Sequence, residues 1–285
     1  MKDKTKPLVS VVIPAYNAEK WIYECIDSVM KQDYPNIEIA VVDDASTDNT
    51  KQILLKILNS THPCSMIISC HNQNMGECIT SSDGFALTTG KYACRLSADD
   101  MFVNTNHITK QVEEMEKYNL DWCYNNINLV GRSLYDCKIS ETSWVPIPIR
   151  YSARFFYRFD NLFLKFSDVC YLIAIVRNPI NSSALMIRKS TYDKYRLTWD
   201  NGYRTCGDST LIADMFLHGL KVHAIHSIGS FYRIHPDQST GKPDTNRDYK
   251  MIRECLYNEI KNNNNSLWIK ITLQVIKRYA KWKNI

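Results

Sequence analysis

The chain of 285 residues is 45% hydrophobic and 23% charged, a composition typical of globular proteins that excludes a fibrous or intrinsically disordered chain. Its net charge of +5 is concentrated at one end, because Ser266–Ile285 contains five basic residues and no acidic one. The rest of the chain balances 30 basic against 30 acidic residues, so we expect no nucleic-acid partner.

Ten cysteines are spread along the sequence with no two closer than six residues, which excludes the paired spacing of a structural zinc site. Several lie in apolar, strand-like runs, so we expect reduced thiols in a cytoplasmic protein. The longest apolar run, Val169–Val176, is far shorter than a membrane span, and the strand-like run before Pro14 is too short for a signal peptide. We therefore expect no transmembrane segment.

Up to residue 96 the chain alternates between strand-like and helix-like patterns. Short β-branched runs predict strands at Leu8–Ile13, Ile37–Val42, Cys64–Cys70 and Lys91–Leu96. Apolar residues at three- and four-residue spacing predict helices at Trp21–Met30, after the capping sequence Ser46-Thr47-Asp48, and at Cys78–Leu87. This alternation predicts a parallel sheet with helices on both faces.

The pattern is less regular after Asp121. The elements predicted there are a strand at Ser182–Ile187, a helix at Asp208–Leu217 closed by Gly219, and short strands at Val222–Ile225 and Ser230–Ile234.

Polar residues follow three of the predicted strands, where ligands bind on such sheets. Pro14–Asn17 follows the first strand, Asp43-Asp44 the second and Asp99-Asp100 the fourth. Carboxylates this close together raise one another's pKa, and a divalent cation removes the conflict. Magnesium or manganese held by one or two carboxylates completes its coordination with substrate phosphates. Taken alone, Asp99-Asp100 has a structural alternative, as a cap on the next helix near Thr105.

Three segments of the first half, VSVVIPAYNAEKWI, IEIAVVDDASTDNT and GKYACRLSADD, occur with the order and spacing of a known family. Together with RNPINSSALMIRKS, TCGDSTLIADMFLHG and FYRIHPDQS, they closely resemble the inverting glycosyltransferases of family 2 over residues 8–240. The resemblance implies an α/β fold of the GT-A type, a Rossmann-like and mostly parallel sheet flanked by helices. It further implies a catalytic domain at 1–240, with a nucleotide-binding half at 8–120 and an acceptor half at 121–240, before a helical, basic extension at 241–285.

The same resemblance implies a set of residues that bind the donor: Pro14, Ala15, Tyr16, Asn17, Asp43, Asp44, Ser97, Ala98, Asp99 and Asp100. In the family the first loop lines the nucleoside pocket. Asp44 matches the acid that contacts the edge of the uracil ring, and Asp43 the acid that supports its loop. Asp99 matches the metal-binding acid, and Asp100 the acid beside the donor sugar.

Asp208 matches the family's catalytic base, and His235 falls where some members supply a second ligand to the metal or the diphosphate. The sequence departs from the family at Ser97, where most members have the first acid of the D-x-D signature. It departs again at Gly207, where a glutamate is usual. Ser82-Asp83 replaces the Arg-Asn pair that commonly follows the turn at Asn74–Gly76.

The resemblance thus implies an inverting hexosyl- or N-acetylhexosaminyltransferase of polysaccharide biosynthesis for the cell envelope. The expected donor is a nucleotide-diphosphate sugar, a UDP-sugar above all, and the acceptor is a hydroxyl of a glycan or a lipid-linked glycan. A divalent metal, manganese or magnesium, is the expected cofactor. Because of Ser97 and Gly207, a catalytically silent sugar-nucleotide-binding subunit of a glycan assembly complex stays as the alternative.

The basic tail predicts a second kind of contact. Trp268, Ile271, Val275, Tyr279 and Trp282 share one face of a predicted helix that also carries the five basic residues of 266–285. Such a helix suits an anionic membrane surface, so we expect a peripheral location at the inner face of the plasma membrane. The alternative is that its apolar face packs on the catalytic domain.

Overall fold

The computed structural model describes residues 5–130 and 180–239, except 201, and eight positions between 242 and 254. The predictions for the tail at 266–285, and for most of the extension at 241–285, lie outside the described residues. So does the apolar run Val169–Val176.

Within the described part, eight strands form one sheet in the order β3-β2-β1-β4-β7-β6-β8-β5. The strands are β1 (Val9–Ala15), β2 (Ile37–Asp43), β3 (Ser65–Cys70), β4 (Tyr92–Arg95), β5 (Met101–Phe102), β6 (Trp122–Val130), β7 (Leu185–Arg188) and β8 (Val222–Arg233). The helices are α1 (Ile22–Met30), α2 (Thr50–Leu58), α3 (Glu77–Ala86), α4 (His107–Lys117), α5 (Lys189–Lys194) and α6 (Gly207–Leu217).

The sheet combines parallel and antiparallel pairs. Strands β3, β2, β1 and β4 are parallel, as the alternating pattern of the first half predicts. Strand β7 is antiparallel to both β4 and β6, β6 is parallel to β8, and β5 is antiparallel to β8. The fold class, a mostly parallel sheet flanked by helices, is confirmed. Among the described residues, the strand-helix unit that enforces parallel pairing repeats in the first half of the chain.

Side chains on alternate positions of the strands separate two apolar layers. On β1, Val9, Val11 and Ile13 pack into one layer with α1, α2 and α4, whereas Val12 packs into the other with α3, α5 and α6. All four valine and isoleucine side chains are fully buried. Helices therefore cover both faces of the sheet, and the carboxyl ends of β1, β2 and β4 lie at one edge.

Strand β8 corrects a prediction for the second half. The two short strands predicted at Val222–Ile225 and Ser230–Ile234 are one continuous strand, Val222–Arg233. Its pairing with β6 is irregular around Asn125 and Asn126, which corresponds to the interruption in the apolar pattern. Likewise, the strand predicted from Ser182 begins later, at Leu185, after one turn of 3-10 helix.

No helix among the described residues is long and apolar enough to cross a membrane. The seven cysteines that the structure describes are all free thiols, and six of them are buried.

Gly84 sets how closely α3 approaches the sheet. A Cβ atom at this position would lie 2.4 Å from Cγ1 of Val12 on β1 and 3.5 Å from Cγ2 of Val42 on β2. Any larger residue must therefore push α3 away from β1 and β2, the strands that end at Pro14–Asn17 and at Asp43-Asp44.

We expect Gly84→Ala to lower the free energy of unfolding by about 1–3 kcal/mol, because overpacking outweighs the better helix propensity of alanine. Urea denaturation measures the change. The matched control is Val12→Ala, which removes the clashing methyl group. In that background Gly84→Ala should cost almost nothing, and an unchanged cost would contradict the close contact.

Candidate active site

The loops after β1 and β2 are tied to each other. The amide of Asp44 donates to the carbonyl of Ala15 at 2.8 Å, and the amide of Asn17 donates to Oγ of Ser46 at 2.9 Å. In return, Oδ1 of Asn17 accepts from the amide of Thr47 at 2.8 Å. These bonds hold Asn17 at a positive φ of 49°.

Tyr16 is the exposed member of the first loop, with 49% of its surface accessible, while Pro14 and Ala15 end the buried strand. Ala15 is paired with Asp43 across the two strands, and its carbonyl accepts from the amide of Asp44. The first-loop residues therefore lie next to Asp43 and Asp44, as the family resemblance implies.

Asp44 is buried, and both oxygens of its carboxylate accept hydrogen bonds within the protein. Oδ1 lies 2.7 Å from Nδ1 of His71 and 2.7 Å from the amide of Met75, and Oδ2 lies 2.9 Å from the amide of Gly76. Gly76 has a positive φ of 95°, which glycine adopts without strain. Asp44 therefore anchors the turn that precedes α3.

Asp43 is buried beside it and has fewer partners. Its Oδ1 accepts from the hydroxyl of Ser46, which also binds the amide of Asn17. Asp43 thus contacts the first loop through one bridging hydroxyl group.

The loop after β4 brings two predicted metal ligands together. Nε2 of His235 lies 3.0 Å from Oδ2 of Asp99, with 30% of the Asp99 side chain and 8% of the His235 side chain exposed. Arg233 supports the pair, since its Nε donates to the carbonyl of Asp99 at 2.8 Å. The ring of Trp21 packs against both residues. Its centroid lies 4.3 Å from the central guanidinium carbon of Arg233 and 5.6 Å from the centroid of the His235 ring.

The Asp99–His235 pair fits a divalent cation. In this structure the two side chains share a hydrogen bond of 3.0 Å, and two adjacent ligands of an octahedral ion at about 2.1 Å also lie about 3 Å from each other. Among the described residues no group of three or more His, Cys, Asp or Glu side chains is arranged to hold a metal. An ion at this place would therefore take its remaining ligands from a bound substrate and water.

Asp100 faces the interior. Only 1% of its surface is exposed, and its oxygens accept from the hydroxyl of Ser183 at 2.6 Å and from the amide of Arg233 at 3.0 Å. Burial, and then the charge of Asp99, raise the pKa of Asp100. Residues 96–100, between β4 and β5, form the acidic loop. Asp100 thus joins the acidic loop to β8 and to the turn before β7.

Ser97 and Ala98 form the rest of that loop, and Ala98 is buried. The amide of Ser97 donates to Oγ of Ser183 at 3.1 Å, and its hydroxyl accepts from Nη1 of Arg95 at 2.9 Å. A carboxylate at position 97 would therefore lie next to a buried guanidinium. Ser97 instead offers this guanidinium a neutral acceptor, its hydroxyl oxygen.

Asp208 lies in the first turn of α6, after Cys206, which has a positive φ of 65°. Its carboxyl group is partly accessible, while the surrounding protein removes most of its hydration. This burial, and then the nearby negative charge of Glu77, raise the pKa of Asp208 to about 6, against the opposing charge of Arg95. Asp208 is therefore a carboxylate near neutral pH that still accepts a proton readily.

Gly207, a departure from the family pattern, has a structural cause. A Cβ atom there would lie 2.3 Å from the carbonyl oxygen of Trp199 and 3.1 Å from Sγ of Cys78. The glutamate usual at this position does not fit against this backbone, so glycine is the residue that this packing allows.

Sequence reasoning missed several residues of the site. Arg95 lies in the segment GKYACRLSADD, but the sequence assigned it no role. The same is true of four more residues: Glu77, Ser183, Arg233 and Trp21. These residues lie far apart in the chain, and their contacts arise only from the order of the strands. The one signal available was an arginine two positions before Ser97.

The model of glycosyl transferase family 2 matches residues 10–183 of this chain. The match spans more than half of the chain, and the chain belongs to glycosyl transferase family 2. It is 27% identical over 249 residues to the UDP-Glc:alpha-D-GlcNAc-diphosphoundecaprenol beta-1,3-glucosyltransferase WfaP of Escherichia coli. That alignment covers 87% of this chain and 84% of the relative.

Two solved structures share the fold. S. aureus TarS in complex with UDP-GlcNAc matches with a TM-score of 0.70 and 17% identity, covering 93% of this chain and 70% of TarS. The mannosyltransferase PcManGT of Pyrobaculum calidifontis, in complex with GDP-Man and Mn2+, matches with a TM-score of 0.60 and 14% identity, covering 99% and 83%. At these identities the likeness establishes the fold, and the GT-A architecture expected from the sequence is confirmed.

We expect Asp44→Asn to lower the free energy of unfolding by about 1–3 kcal/mol. The NH2 group of asparagine would replace one of the two acceptor oxygens and would face an N–H donor. Chemical denaturation measures the loss. Asp83→Asn is the control, since Asp83 also contacts His71 but keeps 55% of its side chain exposed. It should change stability by at most about 0.5 kcal/mol. Equal losses in the two variants would contradict the anchoring role of Asp44.

Proposed function

We propose that this chain is an inverting glycosyltransferase that moves a sugar from a nucleotide-diphosphate donor to an acceptor hydroxyl group. The observation that carries the proposal is the pair of Asp99 and His235 at the edge of the sheet, joined through Arg95 and Ser97 to the neighbourhood of Asp208. A cation-binding pair and a carboxylate of raised pKa are the two groups that one displacement at an anomeric carbon requires.

In this mechanism Asp208 accepts the proton of the acceptor hydroxyl group. The freed oxygen forms a bond to the anomeric carbon, and the bond from that carbon to the diphosphate oxygen breaks with its electron pair. Attack from the side opposite the leaving group inverts the anomeric centre. Because Asp208 acts as a carboxylate, transfer should rise as the pH passes through about 6.

Asp99 and His235 would hold the divalent cation, manganese or magnesium. When bound, the cation stabilises the negative charge that develops on the departing diphosphate. Arg233 and Trp21 keep the two ligands in place, through the carbonyl of Asp99 and the ring of His235. PcManGT, a neighbour in fold, is in complex with Mn2+, which supports a metal for this site.

For the donor we propose a UDP-sugar, since TarS is in complex with UDP-GlcNAc and the name of WfaP specifies UDP-Glc. Pro14–Asn17 would line the nucleoside pocket, with Tyr16 offering its exposed ring. The resemblance implies that Asp44 contacts the edge of the uracil ring and that Asp43 supports the loop. Both oxygens of Asp44 already accept hydrogen bonds within the protein. We therefore propose that Asp43 also contributes to recognition of the uracil ring.

For the acceptor we propose a glycan or a lipid-linked glycan of the cell envelope, on the basis of the diphosphoundecaprenol in the name of WfaP. A lipid-linked acceptor would bring the protein to a membrane surface, where the basic tail at 266–285 would supply the contact. A peripheral place at the inner face of the plasma membrane follows from both features.

The alternative is a catalytically silent subunit that binds a sugar nucleotide. Gly207 is weak support for this alternative, because a Cβ at that position would lie 2.3 Å from the carbonyl oxygen of Trp199. A screen of UDP-sugars with manganese, read by release of UDP with and without glycan acceptors, separates the two. A silent subunit would bind UDP but release none from any donor.

Asp99→Ala should lower turnover by about 100-fold or more, because metal stabilisation of the diphosphate is worth several kcal/mol. Calorimetry should also show that manganese no longer strengthens the binding of UDP. The control is Asp237→Ala, an exposed acid near His235 that pairs with Lys20. Near-normal turnover of Asp99→Ala would show that the metal site lies elsewhere.

Asp208→Asn should lower turnover by roughly two to four orders of magnitude while UDP binds as in the wild type, since a positioned base contributes this much to catalysis. Turnover against pH and UDP titration are the two measurements. A parallel loss of UDP affinity and turnover would mean that Asp208 shapes the pocket and is not the base.

A further inference from the structure

Glu77, the first residue of α3, and Arg95, the last residue of β4, form a short ion pair. Oε1 of Glu77 lies 2.6 Å from Nη2 of Arg95, and the side chains of Glu77 and Arg95 are 31% and 3% exposed. A pair this well shielded from solvent acts more strongly than a surface salt bridge, and removal of either charge changes the field at neighbouring groups.

Arg95 also fixes the acidic loop. Its Nη1 donates to Oγ of Ser97 at 2.9 Å and to Oγ of Ser182 at 2.6 Å, and its Nε donates to Oγ of Ser81 at 3.1 Å. The guanidinium packs over the ring of Trp199, with 5.3 Å between its central carbon and the ring centroid. From the end of β4, this one side chain therefore contacts the loop after β4, α3, the turn before β7 and the segment that leads to α6.

The base segment, residues 199–208 without 201, packs on the first turn of α3, where Glu77 lies. The amide of Cys78 donates to the carbonyl of Arg204 at 3.3 Å, and a Cβ on Gly76 would lie 2.9 Å from the same oxygen. On the other side, Sγ of Cys78 lies 3.1 Å from the place of a Cβ on Gly207. Glu77 thus lies between Gly76 and Cys78, and these two residues contact Arg204 and Gly207 on either side of the turn into α6.

We propose that the Glu77–Arg95 ion pair is a positioning element of the transferase, which fixes the place and the electrostatic surroundings of Asp208 and couples them to the acidic loop at Ser97. The inference rests on the proposed role of Asp208 as the base. Neither Glu77 nor Arg95 needs to touch the substrate for this role.

The two members of the pair act on Asp208 in opposite directions. The negative charge of Glu77 raises the pKa of Asp208 and the positive charge of Arg95 lowers it, in addition to the larger effect of burial. Other described groups near Asp208 include Ser209, which donates to its carboxylate, and the neutral thiols of Cys78 and Cys206, with Asp248 beyond Cys206.

The test is a titration of the Asp208 carboxyl carbon by NMR, in full-length protein labelled with 13C-aspartate and assigned with Asp208→Asn. Glu77→Gln should shift the midpoint to lower pH and Arg95→Met should shift it to higher pH, each by about one pH unit. The double variant Glu77→Gln/Arg95→Met should return close to the wild type. The acid limb of the turnover profile should move in the same directions.

Glu116→Gln is the matched control, because Glu116 forms a 2.5 Å ion pair with Lys91 at the opposite end of β4. It should leave the Asp208 midpoint unchanged. If Arg95→Met does not fold, Arg95→Lys keeps the charge but cannot make all four bonds at once. Arg95→Lys should hold the midpoint within about 0.3 pH units of the wild type and lower kcat at least tenfold, with unchanged KM for the donor.

Folded Glu77→Gln and Arg95→Met proteins with unmoved Asp208 midpoints would overturn the inference, as would shifts of the same sign. The titration needs no substrate, so this outcome is independent of the transferase activity. Failure of the proposed function would instead appear as normal turnover in Asp208→Asn, whatever the midpoint shifts.

Discussion

A buried guanidinium is costly unless its donors have acceptors, and the organisation of this site follows from the four hydrogen bonds that Arg95 donates. Its partners are three hydroxyl groups and one carboxylate, and they come from segments far apart in the chain. Satisfying them fixes the end of β4 relative to α3 and to the turn before β7. The acidic loop then leaves the sheet in one direction, which brings Asp99 to His235.

The two departures from the family pattern lie in the same packing. Ser97 accepts from Arg95, and Gly207 leaves room for the carbonyl of Trp199, whose ring lies over Arg95. Gly207, which looks like a lost function in the sequence, is therefore a local adjustment to its neighbours. This is why an unusual residue in a motif is weak evidence for lost activity until its surroundings are known.

The sequence predicted the first half of the fold well, because β1, β2 and β4 are short, mainly apolar runs that are buried at every position. It failed for β6, whose asparagines at 125, 126 and 128 interrupt the apolar pattern, although tertiary pairing with β8 makes this segment a strand. In the site, Asp99 and Asp208 were predicted from short motifs. The partnership of Glu77 with Arg95 depends on how α3 lies against β4, and no local pattern carries that information.

The free thiols of this chain have a practical consequence. Burial raises the pKa of Cys25 and Cys123 well above the usual range, and that of Cys94 and Cys206 to about 12. Only thiolates react quickly with alkylating reagents, so these side chains stay inert while the protein around them is closed. The rate at which each one becomes alkylated therefore reports how often its own region opens. Cys206 would report the turn into α6, and the other three would report the layer beneath the acidic loop.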